Sequence, residues 1–278
     1  MNMKTVYLNK FMSSVVTELE MNGQYGTAHV CGSVLRSVMA FGGEGLPVSG
    51  ITPLWLKAYE GYLLHKGGKG LAWNTVSTYM RMLQAVYNRA VARKLAAFIP
   101  HQFRDVFTGR KADHRRVLER DDMQKLLVER EPDITSPGMA WARACLELMF
   151  RFHGMPFVDL AHLRKSDLKD GYLTLRRRKT GMPLSARVDG RAMQLLERYR
   201  NRDDTSPYLL CFLDGNLEGM AAYRDYQRIL RLLNSRLRAL ALWKKVQGKV
   251  TSYSARHTWA TVGRYCHIPI EVISEGLG

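Results

Sequence analysis

Apolar residues recur at steps of three and four through most of this chain, which is the spacing of an amphipathic α-helix. Residues 27–41 are a clear example. The spacing changes to the alternation of β-strands at residues 172–175 and 184–188, on either side of the turn at 179–181. The sequence therefore predicts a mainly α fold with a small antiparallel β-sheet.

The chain has 278 residues, which exceeds the usual domain size of roughly 100 to 200 residues. Residues 109–116 are polar and basic and lack apolar periodicity, so they are predicted to form a linker. This divides the chain into a helical domain over 1–108 and a second, mostly helical domain over 117–278 that carries the hairpin. Further helices are predicted over 191–200 and 223–245.

Two helices of the first domain have recognisable starts. Thr52-Pro53 provides an N-cap followed by proline at the first helical position. The next helix is predicted to begin with Asn74 as its N-cap, and it has a polar stripe opposite its apolar side. Cations, amides and hydroxyls hold phosphates and contact base edges, although a stripe of this kind is also typical of a solvated helix face. The candidate DNA contacts on this helix are Asn74, Ser77, Thr78, Arg81, Gln84 and Asn88.

The formal net charge is +17, and basic residues exceed acidic ones both before and after residue 110. Such a surface attracts polyanions, and nucleic acid is the first candidate. An acidic membrane is the rival, but the sequence has no apolar run near 18 residues, no secretory signal and no lipidation motif. We therefore expect a cytoplasmic protein without a membrane partner. RNA is a weaker candidate because no RNP-like aromatic strand motif is present.

Several kinds of chemistry have no support in the sequence. The four cysteines are widely separated, without a CxxC pair or a histidine cluster, which argues against disulfides and structural zinc. No GxxxxGK[ST], HExxH or GxSxG motif occurs. The remaining candidates are cations in unusual settings. Arg256 and His257 stand at the start of a predicted helix, where an anion is favoured, and Lys179 lies at the hairpin tip. Alternatively, Arg256 caps the helix and Lys179 is only surface charge.

The stretch from Thr251 to Thr261 resembles the second conserved box of the tyrosine recombinase (phage integrase) family, HxxRH followed by Thr, an aromatic residue and Ala. Four other stretches are similar to family segments in the same order: NTVSTYMRMLQAVYNRAV, GMPFVDLAHL, RRRKTGMPL, and IPIEVI with GLG. They resemble the core-binding domain, the first box, the hairpin with the family's lysine, and the approach to the LGH box. The resemblance is closest to integrases of Bacteroides-type mobile elements. It implies a helical SAM-like core-binding domain plus an integrase-type catalytic domain.

This resemblance also implies a reaction. In the family, a tyrosine hydroxyl attacks a DNA backbone phosphate and forms a 3′-phosphotyrosyl link, which a 5′-hydroxyl later reverses. The reaction requires no cofactor, metal or small-molecule substrate, because preorganised donors stabilise the charge on the phosphate. The implied partner is double-stranded DNA at recombination sites, clamped between two domains. The implied assembly is a homo-tetramer on DNA and a monomer alone.

Roles are implied for individual residues of the second domain. Arg256 matches the arginine of the second box and is expected to clamp the phosphate. Lys179 matches the hairpin lysine, the general acid towards the departing 5′ oxygen, and Arg178 beside it is expected to contact DNA. Tyr253 occupies the position where many relatives have histidine. A phenol donates hydrogen bonds but is a poor proton acceptor near neutrality.

The sequence departs from the family pattern in two places. The first-box arginine is absent from residues 154–159, and His153 stands where close relatives have arginine, so Arg151 is the candidate replacement. The sequence given also ends before the third-box histidine and the nucleophile. Tyr265 is the only tyrosine after Arg256, and it is expected inside a helix. The chain as given is therefore expected not to cleave DNA. The alternative is a non-catalytic DNA-binding accessory or regulatory protein on a decayed recombinase scaffold.

Overall fold

The structure is a computed structural model that describes residues 5–111, 118–127 and 136–278. The chain divides into two compact units, Met1–Ala112 and Asp113–Gly278. Most of the linker predicted at 109–116 lies outside the described residues. Within the described ranges, no helix is both long and apolar enough to span a membrane.

The described residues of the first unit form helices and one short 3₁₀ turn, Val48–Gly50. Its helices are α1 (Leu8–Met21), α2 (Tyr25–Gly42), α3 (Pro53–His65) and α4 (Trp73–Ala92). The predicted start of α3 is confirmed, because the Thr52 side chain accepts a hydrogen bond from the backbone N–H of Trp55 at 3.1 Å. The apolar side predicted for α4 is also confirmed, since Val76, Leu83 and Ala90 are buried.

The prediction that Asn74 caps α4 is wrong. The helix begins at Trp73, with Ala72 at the N-cap position. The Asn74 amide pairs instead with the Lys111 backbone: its Nδ2 donates to the carbonyl at 2.9 Å, and its Oδ1 accepts from the N–H at 2.8 Å. The side chain therefore fixes a distant segment of the chain against the start of α4.

The second unit combines seven helices of the described ranges with one small sheet. The helices are α5 (Arg120–Leu127), α6 (Pro137–Arg151), α7 (Phe157–Ala161), α8 (Gly190–Arg198), α9 (Gly219–Trp243), α10 (Ser254–Tyr265) and α11 (Ile270–Leu277). The strands are β1 (Leu168–Lys169), β2 (Tyr172–Arg176) and β3 (Pro183–Arg187), antiparallel in the order β1-β2-β3. The mainly α fold with a small antiparallel sheet is thus confirmed. The sequence analysis missed β1, which has only two residues.

The core of the second unit forms where α9 packs against α6. Both helices bury one apolar side there, and Leu148 of α6 and Leu233 and Leu237 of α9 are inaccessible to solvent. At the C-terminal end of α6, His153 and Gly154 adopt positive φ angles of 56° and 68°. Two successive residues in this conformation end the helix and turn the chain sharply into α7.

Candidate nucleic-acid interface and active site

In the first unit, some of the predicted DNA contacts on the polar side of α4 are accessible to solvent. Arg81 and Asn88 are exposed, and Gln84 and Thr78 are half-buried. The Arg81 Nε donates to the Ser77 carbonyl at 3.4 Å, which holds the guanidinium along the helix. This face therefore offers one cation and two amides to a partner, along about two turns of the helix.

Ser77 is not on that exposed face, and the prediction is wrong for this residue. Its side chain is fully buried, and its hydroxyl donates to the Gly109 carbonyl at 2.6 Å. The chain folds back across the first turns of α4 at this point and covers the hydroxyl. Ser77 is therefore a structural residue and offers nothing to a ligand.

An aromatic residue that the sequence analysis missed lies beside the amides. Phe98, Gln84 and Asn88 line one cavity of about 390 Å³, together with His101 and Arg104. The Phe98 ring is 70% exposed, although it is a large apolar group. Amides bind adenine in the major groove, and an apolar group contacts the thymine methyl. This corner of the first unit has the side chains for contact with base edges.

In the second unit, α10 begins at Ser254 and carries Arg256 in its first turn. The loop before it is fixed at two points: the Ser254 hydroxyl accepts from the Thr251 N–H at 3.1 Å, and the Ser252 N–H donates to Asn234 Oδ1 of α9 at 2.8 Å. Arg256 therefore projects from a rigid helix start, where backbone N–H groups favour an anion.

The Arg256 guanidinium is half-buried against main-chain carbonyls. Its Nη1 donates to the Leu277 carbonyl at 3.0 Å and contacts the Gly154 carbonyl at 3.4 Å. Gly154 approaches so closely that a Cβ atom there would lie 2.9 Å from the Arg256 Cα. The first-box segment and the second-box arginine are thus packed directly on each other.

Arg177 is the functional candidate that the sequence analysis missed. It is only 5% exposed, and its Nε donates to Asp159 Oδ2 at 3.1 Å. The other Asp159 oxygen accepts the Arg178 N–H at 2.9 Å, so this buried carboxylate holds the hairpin and orients Arg177. The alternation of β2, in which Leu173 points inward, extends to Arg177 and was the available signal.

The guanidinium groups of Arg177 and Arg256 lie close together. Arg177 Nη1 donates to the Gly278 carbonyl at 2.6 Å, and Arg256 Nη1 donates to the adjacent Leu277 carbonyl. Burial lowers the pKa of Arg256, and the positive charge of Arg177 lowers that pKa further. Arginine nevertheless stays protonated in proteins. Together with the buried Asp159 carboxylate that pairs with Arg177, the two guanidiniums carry one net positive charge, which favours a bound anion.

Three other predicted site residues of the second unit are exposed, unlike Arg177 and Arg256. Tyr253 is 44% exposed at the N-cap position of α10, with its ring centroid 5.7 Å from that of His257. Lys179 and Arg178 are exposed in the turn between β2 and β3. The side chains at these three positions are accessible to a ligand approaching the hairpin and the start of α10.

Arg151 is held by carboxylates at the C-terminal end of α6. Its Nε donates to Glu147 at 3.0 Å and its Nη1 to Asp189 at 2.6 Å, and Arg191 donates to the same Glu147 at 3.2 Å. Its role as first-box replacement stays a prediction. The neighbouring His153 packs its ring on Trp259, at 5.5 Å between centroids, and burial lowers the pKa of this histidine.

His162, which follows α7, should make the stability of the protein depend on pH. Burial, followed by the charge of Arg178, lowers its pKa from 6.5 to about 4, whereas Asp159 and a hydrogen bond to the Val158 carbonyl oppose the shift. The unfolded chain therefore binds more protons between these values. Stability should fall as the pH drops from about 6.5 to 4, by about 3 kcal/mol.

The test of this pH effect is urea unfolding of the wild type and of His162→Gln at pH 7 and pH 4.5. The glutamine variant should lose less stability on acidification, because it has no imidazole to protonate. An identical loss in both proteins would show that His162 does not contribute.

Across the described parts of the chain, no group of three or more His, Cys, Asp or Glu side chains is placed to hold a metal ion.

Comparisons with known proteins agree with this arrangement. The family model of the phage integrase SAM-like domain matches residues 7–104, which is most of the first unit. Solved structures match both units. The dimer of the lambda integrase fragment 75–356 bound to a COC′ core site is 16% identical, with a TM-score of 0.66 over 98% of this chain and 95% of that chain. The chain has the fold of the tyrosine recombinase (integrase) family.

Two further structures share this recombinase fold. The Tn1549 transposon integrase in complex with transposon right end DNA is 15% identical, with a TM-score of 0.67 over 98% of this chain and 91% of that chain. The lambda integrase tetramer bound to a Holliday junction is 15% identical, with a TM-score of 0.64 over 98% and 77% of the two chains. None of the curated proteins matches the chain by sequence. The closer resemblance to Bacteroides-type integrases stays a prediction.

One placement within this recombinase fold differs from expectation. Tyr265 was expected inside a helix, but it is the last residue of α10 and is 72% exposed. The chain turns there because His267 adopts a positive φ of 56°. The Tyr265 side chain is therefore largely accessible to solvent.

Proposed function

We propose that this protein is a DNA-binding site-specific recombinase of the integrase type, which acts through a phosphotyrosyl intermediate. In this proposal the first unit is the core-binding domain and the second unit is the catalytic domain. The observation that carries the proposal is the pair of guanidiniums, Arg256 and Arg177, which donate to the carbonyls of consecutive residues. Such a pair is suited to the two non-bridging oxygens of one phosphate.

The chemistry follows from these positions. A tyrosine hydroxyl that is not among the side chains assigned above attacks the phosphorus, a new P–O bond forms, and the bond to the 5′ oxygen breaks. Arg256 and Arg177 stabilise the charge that develops on the non-bridging oxygens, and Lys179 donates a proton to the departing 5′ oxygen. The Tyr253 hydroxyl donates a hydrogen bond to the same phosphate. Energy of the broken bond is retained in the phosphotyrosyl link, so the reaction needs no cofactor.

Binding of the duplex is assigned to both units. Arg81 contacts a phosphate, while Gln84 and Asn88 contact base edges. In the second unit, Arg178 and Lys179 contact the backbone around the reacting phosphate. The proposed assembly is a homo-tetramer on paired DNA sites, with a monomer in the absence of DNA. The fold shared with a lambda integrase tetramer on a Holliday junction supports this assembly.

A second candidate is an accessory protein that binds DNA without cutting it. The absence of arginine from residues 154–159 favours this candidate. Against it, Arg177 brings a guanidinium to Asp159, the acidic residue of that same segment. An accessory protein would bind its duplex without singling out one phosphate, whereas a recombinase concentrates its guanidiniums on one.

Affinity for duplex DNA as a function of salt tests the proposed DNA binding. For six to ten phosphate contacts, affinity should fall by roughly 10³ to 10⁵ between 50 and 200 mM salt. Arg81→Ala should lower the salt slope by about 0.9 and weaken binding to all sequences alike, because it removes one phosphate contact. Fluorescence anisotropy measures both quantities.

The matched control for that variant is Arg36→Ala, since Arg36 is an exposed arginine on α2 whose guanidinium bonds Ser33. This control should bind as the wild type does. A flat salt response of the wild type would exclude nucleic acid as the partner. Equal effects of the two variants would exclude the α4 face from the interface.

A further inference from the structure

The solvent side of α9 carries a row of arginines outside the site around Arg256. Arg224, Arg228, Arg231 and Arg238 follow one another at steps of four, three and seven residues. At 100° per residue, all four project within about 80° of one another. All four are exposed, while the opposite side of α9 is buried in the core. We call these four residues the α9 stripe.

The charge of the α9 stripe is poorly compensated. The helix contains five arginines and a single acidic residue, Asp225, which pairs with Arg228 at 2.8 Å. Among the residues that the structure describes, neither Arg224 nor Arg231 has an ion pair, and Arg238 donates only to the Asn234 carbonyl, at 3.2 Å. A line of like charges on one helix is unfavourable unless an anion or polyanion binds along it.

The α9 stripe is also rigid and connected to the candidate active site. The buried side of α9 packs against α6, so the row of arginines has a fixed backbone. Asn234 neighbours both Arg231 and Arg238 on the helix surface, at steps of three and four, and its Oδ1 holds the Ser252 N–H in the loop before Arg256. The stripe therefore adjoins the surface on which Arg256 begins its helix.

We propose that the α9 stripe binds the phosphate backbone of duplex DNA beyond the phosphate held by Arg256 and Arg177. From Arg224 to Arg238 the helix rises about 21 Å, at 1.5 Å per residue. This length corresponds to about six base pairs at 3.4 Å each. Guanidinium forks match phosphate oxygens, and a straight row of them fits a polyanion of regular spacing. The inference rests on the proposed function only in that the polyanion is DNA.

The test compares two double variants of the full chain that each remove two exposed charges. Arg231→Gln with Arg238→Gln disrupts the stripe. Arg198→Gln with Arg202→Gln is the control, on two exposed arginines, one at the end of α8 and one in the loop that follows. Binding of a random 30-base-pair duplex is measured between 50 and 200 mM salt. The stripe variant should lower the salt slope by about 1.8, and the control should leave the slope unchanged.

A conservative double variant distinguishes the effect of lost charge from that of altered structure. Arg231→Lys with Arg238→Lys retains both charges and should keep the wild-type slope. The proposal is overturned if the glutamine variant binds with the wild-type slope, or if the control loses as much. A wild type that binds no duplex would instead refute the proposed function itself, so the two failures are distinguishable.

Discussion

Replacing Gly154 by alanine should lower the free energy of unfolding by about 2–4 kcal/mol. Two effects add at this position. Its φ of 68° lies in the left-handed region, which L side chains rarely adopt. The new Cβ would also lie 2.9 Å from the backbone Cα of Arg256, and neither backbone can rotate away as a side chain does. The substitution should therefore displace α10 as well as destabilise the unit.

Gly171→Ala is the matched control for this substitution. Gly171 also has a positive φ, of 74°, but no atom lies within 4 Å of the Cβ that alanine would add. This substitution should lower the free energy of unfolding by about 1 kcal/mol, because only the unfavourable backbone conformation contributes. Urea unfolding of the two variants measures the difference, which is the contribution of the close approach. Equal costs would mean that the first-box segment does not pack on Arg256.

The helix positions and the hairpin could be predicted because they follow from local periodicity. The α4 core and the start of α3 at Thr52 depend only on neighbouring residues. Ser77 could not be placed in this way. Its position on a helical wheel is polar, but a segment more than thirty residues later covers it, and its hydroxyl bonds the Gly109 carbonyl. The periodicity of one helix does not predict a tertiary contact of this kind.

In the candidate active site, too, some residues could be found from the local sequence and others only from the fold. Arg256 was found because a recognisable motif surrounds it at a helix start. Arg177 was missed because a position within a run of three arginines gives no local sign of burial. Only the fold brings the buried Asp159 carboxylate to its Nε. Likewise, the carboxylates that hold Arg151 come from its own helix and from the N-cap of α8, and only one of them, Glu147, is a sequence neighbour.

The central claim is that Arg256 and Arg177 hold one and the same phosphate. Charge-assisted hydrogen bonds contribute about 1.5–3 kcal/mol each, so a neutral group at that phosphate should be strongly disfavoured. The variants are Arg256→Ala and the pair Arg177→Gln with Asp159→Asn. The second substitution of the pair avoids leaving a buried carboxylate without a partner. Arg81→Ala is the control, because it acts on a different phosphate.

The most direct measurement uses a duplex selected for tight binding, in which each backbone phosphate in turn is replaced by a neutral methylphosphonate. The wild type and Arg81→Ala should both lose roughly 10²-fold in affinity at one common position. In both active-site variants, the loss at that position should shrink to a few-fold. The claim is contradicted if the two variants erase the loss at different phosphates, or if their profiles match that of the wild type.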